Sequence, residues 1–132
     1  LEPLTDLPSP KAFAALLAHR RRAVLKSLLL DQGFSAGVGN WIADEVLYQA
    51  GLDPRRRVGS LTGAEIARLR AKLKHVIETA VRADARKDAF PRSWLFHHRW
   101  GKDADARTAG GERVEHLEIG GRTTAWVPTR QR

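Results

Sequence analysis

The apolar residues in the first part of the chain recur every three or four positions, which is the spacing of one helix face. Three segments show this spacing: "KAFAALLAH" after Pro10, "AVLKSLLL", and "WIADEVLYQAG". Gly51 closes the third segment and Pro54 lies three residues beyond it, and both are typical of a helix end. The pattern therefore predicts three short helices, of which the third starts at Trp41.

A fourth and longer helix is predicted from residue 62 onward. Thr62 and Glu65 in "TGAE" have the spacing of a capping box, in which each side chain accepts a hydrogen bond from the backbone amide of the other residue. Apolar residues then continue at helical spacing as far as Ala80. This segment has both a start signal and a long apolar face, so it predicts the main helix of the chain.

After "RADARKDAFPR" the apolar period shortens to two. "RVEHLEIGGRTTAWV" predicts two strands joined by Gly120 and Gly121, whose access to positive φ suits a tight turn. "SWLFHHRW" is either a third strand or an aromatic ledge, since Trp94, Phe96 and Trp100 share one face of an extended chain. A hairpin this small is marginal alone, so we expect it to lean on the helices.

The predicted fold is therefore mainly α with a small β part. We expect a helical domain over residues 1–84 and a β-hairpin subdomain over residues 85–132.

The charge balance indicates an anionic partner. The 132 residues carry a net charge of +8 with a pI near 10.8, which makes nucleic acid the first candidate. No apolar run approaches the roughly 18 residues of a membrane span, and no secretion signal is evident. There is no Cys, which excludes disulfides and thiolate metal sites. We expect a soluble, intracellular protein without membrane contact.

The glycine-rich loop "GFSAGVGN" is the first candidate binding site. Its backbone can approach another molecule closely, and the amides of Gly37, Val38 and Gly39 can point at one anion. Asn40 precedes a predicted helix, where the helix dipole attracts a phosphate and the side-chain amide can donate to it. The alternative is a plain loop with Asn40 as a helix cap, and the residues alone leave both open.

Other chemical signals are weak. His97 and His98 form the only His pair, and they lack carboxylate or Cys ligands at the usual spacings, so no metal site is expected. Trp41 and Trp126 suit core packing better than stacking on extruded bases. No residue of the chain is identified as catalytic.

The stretch "LLLDQGFSAGVGNWIADEVLYQAGLDPRR" resembles the helix-two-turn-helix signature of the formamidopyrimidine-DNA glycosylase and endonuclease VIII family of base-excision repair enzymes. "SWLFHHRWGK" and "GGRTTAWVP" are similar to the DNA-binding finger of that family. Common members have a four-Cys zinc ribbon there. Here Val127 and Arg130 stand at the final Cys pair, so the resemblance is to the zincless finger branch and implies neither a metal nor another cofactor.

The resemblance implies roles for particular residues. Asn40, together with the amides of residues 37–39, would grip the phosphate at the lesion, and Arg122 at the hairpin tip would reach a neighbouring phosphate. Asp44 and Glu45 lie in the matched helix, where we expect them to act as helix-dipole partners near its N-terminus. Further DNA contacts are expected from four basic residues: Arg55, Arg56, Arg99 and Lys102.

The family's nucleophile is an N-terminal proline amine followed by a Glu, on a domain that precedes this region. Leu1-Glu2-Pro3 does not match that motif. The chain is therefore expected to be the DNA-binding carboxy-terminal region of such a glycosylase and abasic-site lyase, a monomer whose partners are damaged double-stranded DNA and the missing catalytic domain. It would lie in the compartment that holds DNA, the nucleus in a eukaryote or the cytoplasm and nucleoid in a bacterium. Two alternatives stay open: a stand-alone DNA-binding module without catalysis, and an RNA-binding helix-two-turn-helix protein.

Overall fold

A computed structural model describes residues 7–31, 39–83, 86, 89–99 and 106–132. In chain order it has helices α1 (Pro10–Ala18), α2 (Leu25–Leu30), α3 (Asn40–Ala50) and α4 (Gly63–Ala83), then strands β1 (Glu115–Ile119) and β2 (Arg122–Trp126). Short 3-10 turns span Val58–Ser60 and Leu95–His98. The predicted fold class, mainly helical with one antiparallel strand pair, is confirmed.

The start and end signals of the helices have the expected geometry. Ser9 caps α1 by accepting a hydrogen bond from the amide of Ala12 at 3.2 Å, and Pro10 is the first helical residue. Gly51 ends α3 in the left-handed region at φ 72°. The start of α3 differs from the prediction, because Asn40 is its first helical residue and Gly39 is the cap.

The capping box of α4 is confirmed in both directions. The amide of Thr62 donates to Glu65 Oε1 at 2.8 Å, and the amide of Glu65 donates to Thr62 Oγ1 at 3.1 Å. The Arg56 guanidinium also binds Glu65, and together these hydrogen bonds lower the pKa of Glu65 to about 2. The α4 helix contributes five buried residues to a core shared with the other three helices: Leu69, Leu73, Val76, Ile77 and Ala83.

The strands form a regular hairpin. Residues 115–119 pair antiparallel with residues 122–126, from Glu115 opposite Trp126 to Ile119 opposite Arg122. Gly120 and Gly121 have φ of 58° and 79°, as a two-residue turn with positive φ at both positions requires. Arg122 therefore follows directly on the turn and is exposed.

Of the two alternatives for "SWLFHHRW", a third strand or an aromatic ledge, the strand is wrong, because Leu95–His98 is a 3-10 turn. Trp94 and Phe96 are both buried, and Phe96 packs edge-on against Trp41 with ring centroids 4.8 Å apart. Phe90 stacks on Trp94 at 4.9 Å. The spacing of Trp94 and Phe96 thus reflects a compact aromatic cluster. The 3-10 turn lets both rings pack inward, whereas an extended strand would place them in a row. Trp100 lies outside the described residues.

The hairpin packs against the helical part through a group of buried apolar residues that we call the hairpin cluster: Tyr48, Leu95, Val114, Ala125 and Val127. Val127 is fully buried in it, and its amide donates to the side chain of Gln131 at 2.7 Å. Arg130 is directed instead toward Glu112 and the ring of Tyr48. The two positions equated with a metal-binding Cys pair thus hold one packed side chain and one exposed cation. The division at residue 84 stays a prediction.

Candidate nucleic-acid interface

The first backbone amides of α3 have no acceptor among the described residues. Its first intrahelical bond runs from the amide of Ala43 to the carbonyl of Gly39 at 3.0 Å, so the amides of residues 40–42 have no acceptor within the helix. No side chain caps this end, and no acidic residue lies in the first turn. These amides and the helix dipole therefore present a partial positive charge at Asn40.

Asn40 joins this helix end to the hairpin tip. Its Nδ2 donates to the carbonyl of Thr123 at 2.9 Å, and Thr123 is the residue that follows Arg122. An amide nitrogen carries two hydrogens, so one remains for a second acceptor. Within the described part of the chain, no carboxylate lies within ion-pair distance of Arg122. The structure thus brings Asn40 to the backbone carbonyl of the residue that follows Arg122 in the hairpin.

A buried charge cluster lies beneath this junction. Asp44 bridges Lys26 Nζ at 2.7 Å and Arg99 Nη2 at 2.6 Å, and its side chain is fully buried. Asp44 Oδ2 also accepts the amide of Ala125 at 3.1 Å, while Lys26 Nζ donates to Thr124 Oγ1 at 2.8 Å. Burial lowers the pKa of Lys26, against the opposing attraction of Asp44. The cluster ties α2 and α3 to β2 immediately below Arg122.

The expected helix-dipole roles of Asp44 and Glu45 are therefore wrong. Both lie beyond the first turn of α3 and are 1% exposed, so each is held by specific partners inside the protein. Glu45 accepts the amides of Leu95 at 3.1 Å and Phe96 at 2.7 Å. Burial, opposed by these hydrogen bonds and one from Gln49, raises the pKa of Glu45 to about 7. Two carboxylates in an apolar run, "IADEVL", were the available signal for this buried role.

Three of the further contacts predicted from sequence have partners within the protein. Arg55 pairs with Asp53 and lies over the ring of Trp126 at 4.6 Å. Arg56 binds both oxygens of Glu65. Arg99 is 8% exposed and holds Asp44. Lys102 lies outside the described residues, as do Gly37 and Val38, so Gly39 is the described part of the predicted amide cradle.

The His pair and the two tryptophans considered as binding residues contact other parts of the protein. His97 and His98 approach the carbonyls of Phe90 at 3.1 Å and Arg92 at 3.3 Å, and they lie in or end a 3-10 turn rather than a strand. Trp126 is buried, and the ring of Trp41 packs on Phe90. A search of the described residues finds no group of three or more His, Cys, Asp or Glu arranged to hold a metal ion. None of the described helices is both long and apolar enough to span a membrane.

Comparison with known proteins points to one family. The model of the formamidopyrimidine-DNA glycosylase H2TH domain matches residues 1–90. A formamidopyrimidine-DNA glycosylase of Arabidopsis thaliana is 44% identical over 132 residues, which is all of this chain and 32% of the plant protein. That of Moorella thermoacetica is 40% identical over 122 residues, covering 92% of this chain and 40% of the relative. The chain thus spans well under half the length of these two curated relatives.

Solved structures agree with this comparison. The crystal structure of the MutM (Fpg) protein from Thermus thermophilus matches 99% of this chain and 53% of its own, with a TM-score of 0.79 and 35% identity. A Lactococcus lactis Fpg in complex with DNA containing an abasic site matches 94% of this chain and 48% of its own, with a TM-score of 0.77. At 23% identity, the second likeness is one of fold.

Proposed function

Because the chain belongs to the family of the formamidopyrimidine-DNA glycosylase H2TH domain, we propose that it is a DNA-binding region that grips the phosphates around a damaged nucleotide in double-stranded DNA. The observation that carries the proposal is the meeting of Asn40 with Thr123, beside the exposed guanidinium of Arg122 and at the uncapped end of α3. An amide, a guanidinium and free backbone amides at one point form a donor set suited to phosphate oxygens.

The enzymatic activity of the relatives belongs, in this proposal, to a catalytic domain that precedes these residues in the full-length protein. Two facts support this arrangement. The chain matches 32% to 40% of two named glycosylases, and Lys26, whose pKa is lowered, is fully buried in ion pairs where no sugar could reach its amine. We further propose that the chain works as a monomer, in the compartment that holds the DNA.

The experiment is a binding titration of a labelled duplex with one abasic site, at several salt concentrations. Arg122→Gln should weaken binding about tenfold to a hundredfold and reduce the salt slope by about one phosphate, since a charge-assisted contact is worth roughly 1.5 to 3 kcal/mol. Asn40→Ala should weaken binding by a smaller factor without changing the slope, because its contact is neutral. Arg113→Gln is the matched control, as Arg113 is exposed at the opposite end of the hairpin and loses the same charge.

Equal losses in Arg113→Gln and Arg122→Gln would show that only total charge matters, and would contradict the proposed site. Competition with structured RNA separates the proposal from the alternative of an RNA-binding protein. We expect the abasic duplex to compete more strongly than the RNA.

A further inference from the structure

An open cleft of about 600 Å³ lies between the turn after α1 and the loop after α3. It is lined by Arg21, Arg22, Arg57, Gly59 and Ser60. All three guanidinium side chains are exposed. Across the described residues, none of the three lies within ion-pair distance of a carboxylate, whereas neighbouring arginines are paired: Arg20 with Asp31, Arg55 with Asp53 and Arg56 with Glu65.

Backbone contacts hold the two sides of the cleft together. The amide of Gly59 donates to the carbonyl of Arg21 at 2.9 Å, and Arg57 Nη1 donates to the carbonyl of Arg22 at 2.7 Å. A Cβ on Gly59 would lie 3.1 Å from the Cβ of Arg21 and 3.2 Å from its carbonyl oxygen, so the approach depends on a residue without a side chain. The three cations are thus gathered by the fold itself, although like charges repel one another.

A guanidinium is suited to a phosphate, because its planar donors match two phosphate oxygens. We propose that this cleft binds a backbone phosphate of the same DNA duplex, outside the segment held at Asn40 and Arg122. The inference rests on the proposed function, and it adds a contact on three arginines that are not among the four further DNA contacts expected from the sequence.

Helix α2 connects the cleft to the hairpin tip. Arg57 pairs with Val24, the residue before α2, in an antiparallel bridge, and the amide of Leu25 donates to the carbonyl of Arg56 at 2.7 Å. At the next residue of α2, Lys26 Nζ donates to Thr124 Oγ1 at 2.8 Å, and Thr124 lies two residues after Arg122. The cleft and the hairpin tip are therefore joined through a few residues of α2, so one duplex can present a different phosphate to each.

The test compares an unmodified long abasic duplex with a series in which one phosphate at a time is replaced by an uncharged methylphosphonate. The variant Arg22→Gln with Arg57→Gln retains the side-chain stems and removes two charges. Its control, Lys74→Gln with Arg82→Gln, removes two exposed charges from α4. The cleft variant should bind the unmodified duplex roughly tenfold more weakly, with a salt slope lower by about one. It should also become insensitive to the methylphosphonate at one phosphate whose neutralisation weakens wild-type binding.

No loss in the cleft variant, the same loss in the control variant, or a methylphosphonate profile identical to that of wild type would overturn the inference. Arg122→Gln separates the two proposals, because it should lose sensitivity at a different phosphate. If wild type binds the unmodified duplex and only the cleft variant departs from expectation, the proposed function stands and the cleft contact fails. If wild type does not bind the unmodified duplex, both fail.

Discussion

Gly39 has a backbone that any residue could adopt, with φ −99° and ψ −175°. A Cβ at this position would meet no atom of the described chain within 4 Å. The fold therefore does not require glycine at this residue, unlike Gly51, whose φ is positive. Because Gly39 has no side chain, another molecule could come close to the first backbone amides of α3.

Gly39→Ala should accordingly separate folding from binding. We expect the free energy of unfolding to change by less than about 1 kcal/mol, because the added methyl group meets open space while the unfolded chain loses freedom. Affinity for the abasic duplex should fall, since the methyl group would stand between the amides and a phosphate. Thermal unfolding and a binding titration on the same preparation measure both. Unchanged affinity would mean that Gly39 serves only the turn.

At the scale of the elements, Glu45 connects α3 to the 3-10 turn Leu95–His98 by accepting the first two amides of that turn region. Its pKa is raised from 4.5 to about 7, so the folded chain holds this proton more tightly than the unfolded chain. The resulting stabilisation is complete below about pH 4.5 and is lost as the pH rises through 7. A shift of this size corresponds to at most about 3 kcal/mol.

Glu45→Gln removes this titration. Denaturant unfolding between pH 4.5 and pH 7 should show a stability decline in wild type that is reduced in the variant. The quantity to compare is the slope of the free energy of unfolding with pH. The Gln side chain has one carbonyl oxygen in place of two carboxylate oxygens, so it loses one acceptor for the turn and lowers stability at every pH. Identical slopes in the two proteins would remove Glu45 as the titrating group.

The elements that sequence predicted well are those with local signals. The Thr62–Glu65 box, Gly51 and the Gly120–Gly121 turn all rest on interactions within a few residues, and each has the expected geometry. Trp94 and Phe96 misled the strand prediction, because their burial depends on Phe90 and Trp41. The bond from Asn40 to Thr123 spans 83 positions, so no local pattern could reveal it. Lys26 among leucines and Asp44 in the apolar run "IADEVL" were the visible signs of the buried charge cluster.

At the scale of the whole molecule, the described residues include no exposed lysine with a lowered pKa. Lys26 is the described lysine whose pKa is lowered, and its amine is fully buried against Asp44. We therefore expect that this chain, mixed with abasic DNA and borohydride, gives no covalent adduct. Gel electrophoresis after trapping measures it, with the heat-denatured chain as background and an active full-length glycosylase as positive control. An adduct above that background would overturn the assignment of catalysis to another domain.

The hairpin cluster has a consequence for chemical durability. Thiolates that hold a zinc ion are oxidised by peroxide to sulfenic and higher acids, and each oxidised ligand weakens the metal site. Here the hairpin is fastened by hydrocarbon and aromatic side chains around Val127, in a chain that contains neither Cys nor Met. The oxidants that damage DNA bases thus find no sulfur atom in this chain, and the apolar contacts that hold the hairpin below Arg122 contain no thiolate that could be oxidised.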